Sequence, residues 1–152
     1  MTIVVVLGDL VSKTLAVTLW TGERQPLLGQ LVRIDVVQNP LGAFSSSLGP
    51  WTWQINVALT GLSVLLAAAV CPRLARLDSL APNALGLVAG AALGNLTSLV
   101  TTPGGVPDFL AIAHGQGGAL VLNFADVAAY LGLACLARLA WTIVRIIAAR
   151  RG

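Results

Sequence analysis

The stretch Leu80–Val100, LAPNALGLVAGAALGNLTSLV, decides the fold. It holds no Lys, Arg, Asp or Glu, and at 1.5 Å per residue its length matches a hydrocarbon core about 30 Å thick. Gly86, Ala89, Gly90, Ala91, Ala92 and Gly94 are small enough for a neighbouring helix to approach closely, which is how helices pack in a bilayer. Pro82 falls in the first turn, where a missing N–H is harmless. The spacing predicts a transmembrane helix.

Three more blocks of this kind lie at about 3–20, 53–70 and 127–148. With 57% apolar and 10% charged residues in 152, the composition excludes an ordinary soluble domain. The expectation is one integral-membrane domain over 1–152, all-α with a small β patch. Block one starts next to Met1 but lacks a basic leader and carries Asp9 and Lys13, so it reads as a retained helix, not a cleaved signal peptide.

Orientation follows from arginine. Arg73 and Arg76 lie between blocks two and three, Arg145, Arg150 and Arg151 lie at the C-terminal end, and Gly104–Asp126 has neither Lys nor Arg. The positive-inside rule then puts both termini in the cytoplasm and segments 21–51 and 101–125 outside. In the first outer segment, Gln30-Leu31-Val32-Arg33-Ile34-Asp35-Val36-Val37 alternates with a period near two, predicting a strand and a small sheet on the membrane surface. Trp20, Trp51 and Trp53 bracket it, as aromatic side chains do at headgroup level.

The net charge of +3 is dispersed among segment ends, so no nucleic-acid partner is expected. Cys71 and Cys135 lack CxxC spacing or a neighbouring His and read as buried apolar side chains, with no disulfide, metal or cofactor. The lone His114 reads as a solvated loop residue.

Ionisable groups in an apolar block each cost about 2.5–3.5 kcal/mol and need a partner or a purpose. Asp9 and Lys13, at i and i+4, form a structural pair or orient a site on another helix. Arg138, about 18 Å along its helix from Asp126, lies within reach of the inner face. Asn95 and Asp126 fall at outer helix ends, where Asp126 alone reads as an N-cap.

Five patches in order resemble the signal peptidase II family, the lipoprotein signal peptidases of bacteria. Asp9-Leu10-Val11-Ser12-Lys13 is similar to Asp-x-x-Thr/Ser-Lys, and Asn39-Pro40-Leu41-Gly42-Ala43-Phe44 to Asn-x-Gly-Ala-Ala-Phe, with Leu41 at the glycine position. Gly90–Leu96 resembles Gly-Gly-Ala-Leu-Gly-Asn-Leu, Val106-Pro107-Asp108-Phe109 resembles Val-Val-Asp-Phe, and Asn123-Phe124-Ala125-Asp126 resembles Asn-Val-Ala-Asp. The resemblance implies an aspartic endopeptidase of the bacterial cytoplasmic membrane that cleaves diacylated prolipoproteins before the lipid-modified cysteine. It implies binding roles for Asn39, Phe44, Asn95 and Asn123.

Read this way, the two acids belong to Asn-x-x-Asp-Arg after the third helix and to Asn-Val-Ala-Asp. The second is Asp126; the first position holds Ser98, followed by Leu99. A serine cannot share a proton with a carboxylate, so proteolysis is expected to be impaired or lost. What remains is a groove for an apolar helix or lipidated peptide amid membrane lipid, or a subunit of a larger membrane complex. The alternative is an active peptidase using Asp126 with Asp108, which would have to swing in from a loop.

Overall fold

The structure, a computed structural model, describes residues 1–29, 31–40, 49–115 and 117–149. Phe44, Gln30, Arg150 and Arg151 lie outside them. In chain order the elements are α1 (Thr2–Trp20), β1 (Arg24–Leu28), β2 (Val32–Asn39), a 3-10 turn (Gly49–Trp51), α2 (Thr52–Ala75), α3 (Ala81–Thr101), β3 (Val106–His114), β4 (Gly118–Leu122) and α4 (Phe124–Ala149). All four α-helices are long and apolar enough to cross a membrane.

Two helix ends differ from the sequence expectation. The second helix runs on through Pro72 to Ala75, five residues past the apolar block. The fourth starts at Phe124, where the side chain of Asn123, just before it, accepts the otherwise free Asp126 N–H.

Burial is concentrated where α1, α3 and α4 meet, around Val5, Ala91, Ala125 and Ala128. Glycines set the spacing. A Cβ on Gly90 would lie 2.7 Å from the Val5 Cβ, one on Gly94 2.6 Å from the Asp9 carboxylate, and one on Gly132 of α4 2.9 Å from the Ala84 carbonyl. Helix α2 packs on α3 and buries no residue. Leu59, Leu62, Leu65 and Leu66 are exposed on it, as side chains solvated by lipid are. Cys135 is exposed and Cys71 half-buried, against the expectation of burial, since helices in lipid can turn apolar side chains outward.

The four strands form one antiparallel sheet in the order β1-β2-β3-β4. Only the alternating stretch that became β2 was expected. The segment between α3 and α4 supplies β3 and β4, so His114 is the exposed last residue of a strand and not part of a loop. Ile34 pairs with Leu110 and Leu110 with Leu122, and this row is buried or half-buried on one face. Asp108 lies two residues before Leu110 and shares that face, because side chains alternate along a strand. At the start of β3, Gly105 has φ 101°, and a Cβ there would collide with the Asn39 carbonyl. That close approach holds the end of β2 beside Asp108.

Candidate active site

The head of α4 organises the site. Asn123 is its N-cap and Asp126 its third residue, and the two bond reciprocally: the Asp126 N–H donates to Asn123 Oδ1 and the Asn123 N–H donates to Asp126 Oδ2, both at 3.0 Å. This is a capping box with the shorter Asn and Asp side chains. Asp126 is therefore the partner of the cap, not the cap itself as the sequence alone reads. A third N–H of this end, that of Ala125, donates to Asp9 Oδ1 of α1 at 3.0 Å. Two carboxylates at a helix N-terminus also match the positive end of its dipole.

The side chains of Asn95 and Asn123 extend this set. Asn95, on α3, donates from Nδ2 to Asp126 Oδ1 at 3.0 Å. Asn123 Nδ2 donates to Asn95 Oδ1 at 3.1 Å and to Asp108 Oδ1 at 2.6 Å. From β2, Asn39 Nδ2 reaches Asp108 Oδ2 at 3.3 Å. Asn123 thus bonds both carboxyl groups, Asp126 through its backbone and Asp108 through its side chain. No swing of Asp108 is needed: it is a buried strand residue already facing the site.

Burial pushes the Asp108 carboxyl above its ordinary range and the charge of Asp126 adds to this, while the amides of Asn123 and Asn39 and the charge of Lys13 work the other way. A consequence for stability follows. An acid whose pKa is raised by folding binds more protons folded than unfolded, so it contributes stability below the unfolded value, 3.8, that is lost as pH rises through the folded one. Thermal unfolding of the wild type and of Asp108→Asn in detergent, compared between pH 7 and pH 4, should show the difference moving in favour of the wild type as pH falls.

Asp9 and Lys13 bond at 2.6 Å and are 0% and 3% exposed. The pair also reaches other helices: Asp9 bonds α4, and Lys13 Nζ donates to Asn95 Oδ1 of α3 at 2.7 Å. Ser98 is elsewhere in its bonding. It is buried on α3, and its hydroxyl donates to the Gly94 carbonyl of its own helix at 3.2 Å. Arg138 pairs with Asp78 at 3.8 Å, beside the α2–α3 connection and far from these groups. Near Asn39 a cleft of about 390 Å³ opens between Pro40, Trp53, Leu99, Thr102 and Gly105. Among the described residues no group of His, Cys, Asp and Glu could hold a metal ion.

A family model described as signal peptidase (SPase) II matches residues 1–142. The chain belongs to the signal peptidase II family. It is accordingly a bacterial membrane protein. Two solved structures described as bacterial membrane enzymes, determined by the in meso method, share the fold. The first has a TM-score of 0.77 at 20% identity over 99% of this chain and 88% of that one. The second has a TM-score of 0.76 at 22% identity over 94% of this chain and 88% of that one. A curated relative, the iron(3+)-hydroxamate import system permease protein FhuB of Escherichia coli (strain K12), is 34% identical over 93 residues, 60% of this chain. The chain spans only 14% of that relative's length.

The resemblance read from the sequence therefore holds for the family. Reasoning from sequence missed the strand placement of Asp108. The signal was present in Leu110 and Ile112 alternating with alanines between Gly105 and Gly115, a short apolar alternation bounded by glycines.

Proposed function

We propose that this signal peptidase II family member is an active aspartic endopeptidase whose two acids are Asp108 and Asp126, cleaving diacylated prolipoproteins at the outer face of the membrane. The observation that carries the reading is the joining of both carboxyl groups through Asn123. Two acids held together share one proton and divide the work. The ionised one takes a proton from water as its oxygen attacks the scissile carbonyl carbon. The protonated one donates to the carbonyl oxygen. As the tetrahedral intermediate collapses the C–N bond breaks, and the departing nitrogen takes a proton from the dyad. Burial favours the protonated form of Asp108.

Ser98 has no part in this scheme, its hydroxyl being engaged with Gly94. The cleft beside Asn39, walled by Trp53 and Leu99, suits an apolar peptide or acyl chain arriving from the bilayer. Incubating the purified protein with a diacylated prolipoprotein should release the signal peptide; an intact substrate after prolonged incubation with folded protein would refute the reading.

The proposed orientation has both termini in the cytoplasm. Arg73, Arg76 and Arg145 support it, as does the Arg138–Asp78 pair at the end of the bundle away from the sheet. In a background with Cys71 and Cys135 replaced, Gly49→Cys should react with an impermeant thiol reagent added outside intact cells, and Ser79→Cys should not. The opposite labelling would reverse the topology.

A further inference from the structure

We propose that Lys13 and Asn95 form a positioning relay, in which the Lys13 ammonium fixes the orientation of the Asn95 amide so that its NH2 always faces the Asp126 carboxylate. The identification of Asp126 as an acid of the dyad rests on the function proposed above; the relay itself rests on bond geometry.

Two donors converge on Asn95 Oδ1: Lys13 Nζ at 2.7 Å and Asn123 Nδ2 at 3.1 Å. A lysine ammonium only donates and an amide NH2 only donates, so a flipped Asn95 would set its own NH2 against both. One orientation is left, and in it Asn95 Nδ2 lies 3.0 Å from Asp126 Oδ1. A purely structural role for Lys13 is complete once Asp9 neutralises it within the same helix at 2.6 Å. The bond to Asn95, 82 residues away in sequence, is additional. A cation on the carbonyl side of an amide also polarises it and strengthens donation from the NH2 side. The charge of Lys13 thereby reaches Asp126 without contact, and Asn95 transmits it.

The groups facing this path are few. Helix α1 contributes Asp9 and Lys13, α3 the neutral Asn95 and Ser98, β2 the neutral Asn39, β3 Asp108 and α4 Asp126. Removing the Lys13 charge, and with it the pinned donor on Asp126, disfavours ionised carboxylates at the site. The carboxyl titration therefore moves to higher pH, and the pH profile of cleavage moves with it. Because the acids are then misplaced and not absent, kcat should fall about 100-fold while KM stays within a few-fold.

The test titrates the carboxyl groups of protein labelled with 13C-aspartate by infrared spectroscopy, Asp126 being assigned by its loss in Asp126→Asn. Lys13→Met should raise the Asp126 midpoint relative to the wild type. Should Lys13→Met fail to fold because Asp9 is orphaned, Asp9→Asn combined with Lys13→Met leaves no buried ion and should show the same direction of shift. Asn95→Asp keeps a partner for Lys13 but turns an oxygen toward Asp126, and it should raise the midpoint as well. An Asp126 midpoint unchanged in these variants would overturn the relay. This readout needs no substrate, so it stands apart from the peptidase assay: an inactive wild type would sink the proposed function while the titration still decides the relay. In an active wild type, variants that lose folded protein but keep kcat per folded molecule and the pH profile would also overturn it.

Discussion

Asp108→Asn and Asp126→Asn should each abolish cleavage of a diacylated prolipoprotein, lowering the rate on the order of 10⁴-fold or more, as when one member of a cooperating catalytic set is lost. Each variant keeps an amide oxygen where a carboxyl oxygen was, so some of the bonds around Asn123 persist and the protein should still fold. What each variant loses is the ionisable group that holds or takes up the shared proton. Ser98→Ala is the informative contrast. Its hydroxyl bonds a carbonyl of its own helix, so its removal should leave cleavage within a few-fold of the wild type. Ser98→Asp should gain no activity and should lose stability, because it places a further carboxylate at a buried position with an acceptor facing it. Cleavage that survives Asp108→Asn, or that disappears in Ser98→Ala, would return the serine to the centre of the chemistry. The assay is gel separation of precursor and product at equal amounts of folded protein.

Gly94→Ala should be among the most damaging single-methyl additions in the chain. The new carbon would lie 2.6 Å from Asp9 Oδ2, 3.1 Å from its Cγ and 3.2 Å from its Cβ. Asp9 has nowhere to withdraw, since one oxygen holds Lys13 at 2.6 Å and the other the Ala125 N–H at 3.0 Å. Backing α1 away from α3 would open the contacts at Gly90 and Gly86, where Val5 and the Met1–Thr2 end sit equally close. Either way a buried ion pair is broken or displaced, a change that costs on the order of 3–5 kcal/mol. Thermal unfolding in detergent should show a large drop in melting temperature, and cleavage should fall with the loss of the Asp9 bond to α4. Gly61→Ala on the lipid-facing α2 is the control. Nothing lies within 4 Å of its added carbon, and alanine favours helix over glycine by about 1 kcal/mol, so it should be neutral or stabilising. Equal effects at the two glycines would refute the packing argument.

The transmembrane helices were legible because lipid imposes a length and a polarity, and Leu80–Val100 satisfies both without help from any other part of the chain. Strand β2 was legible because its half-buried faces demand alternation. Strand β1 was hidden by Pro26 and its short span, and β4 by its five-residue length, while the alternation of β3 between Gly105 and Gly115 went unread. At the site, Asp9 and Lys13 could be read as an i, i+4 pair, and Asn95 and Asp126 singled out because polar groups at those depths need a reason. Their joining across helices could not be read, since Lys13 meets Asn95 across 82 residues and Asp9 meets Ala125 across 116. Asp108 shows the difference most sharply. Its residue type was noticed, but its position depends on a sheet register that begins where Gly105 touches Asn39.

The wiring of Asp9 also bears on how the protein is made. The pair with Lys13 is local to α1, so the first helix can enter the bilayer already neutral while the rest of the chain is still on the ribosome. The second oxygen of Asp9 then waits for the Ala125 N–H, and Asn95 waits for Asp126, both from α4, which is synthesised later. The pair of acids cannot be completed before α4 arrives, because Asp126 belongs to it and one of the bonds to Asp108 comes from Asn123 at its head. Under the proposed function, the arrival of α4 is the event that brings the two acids together.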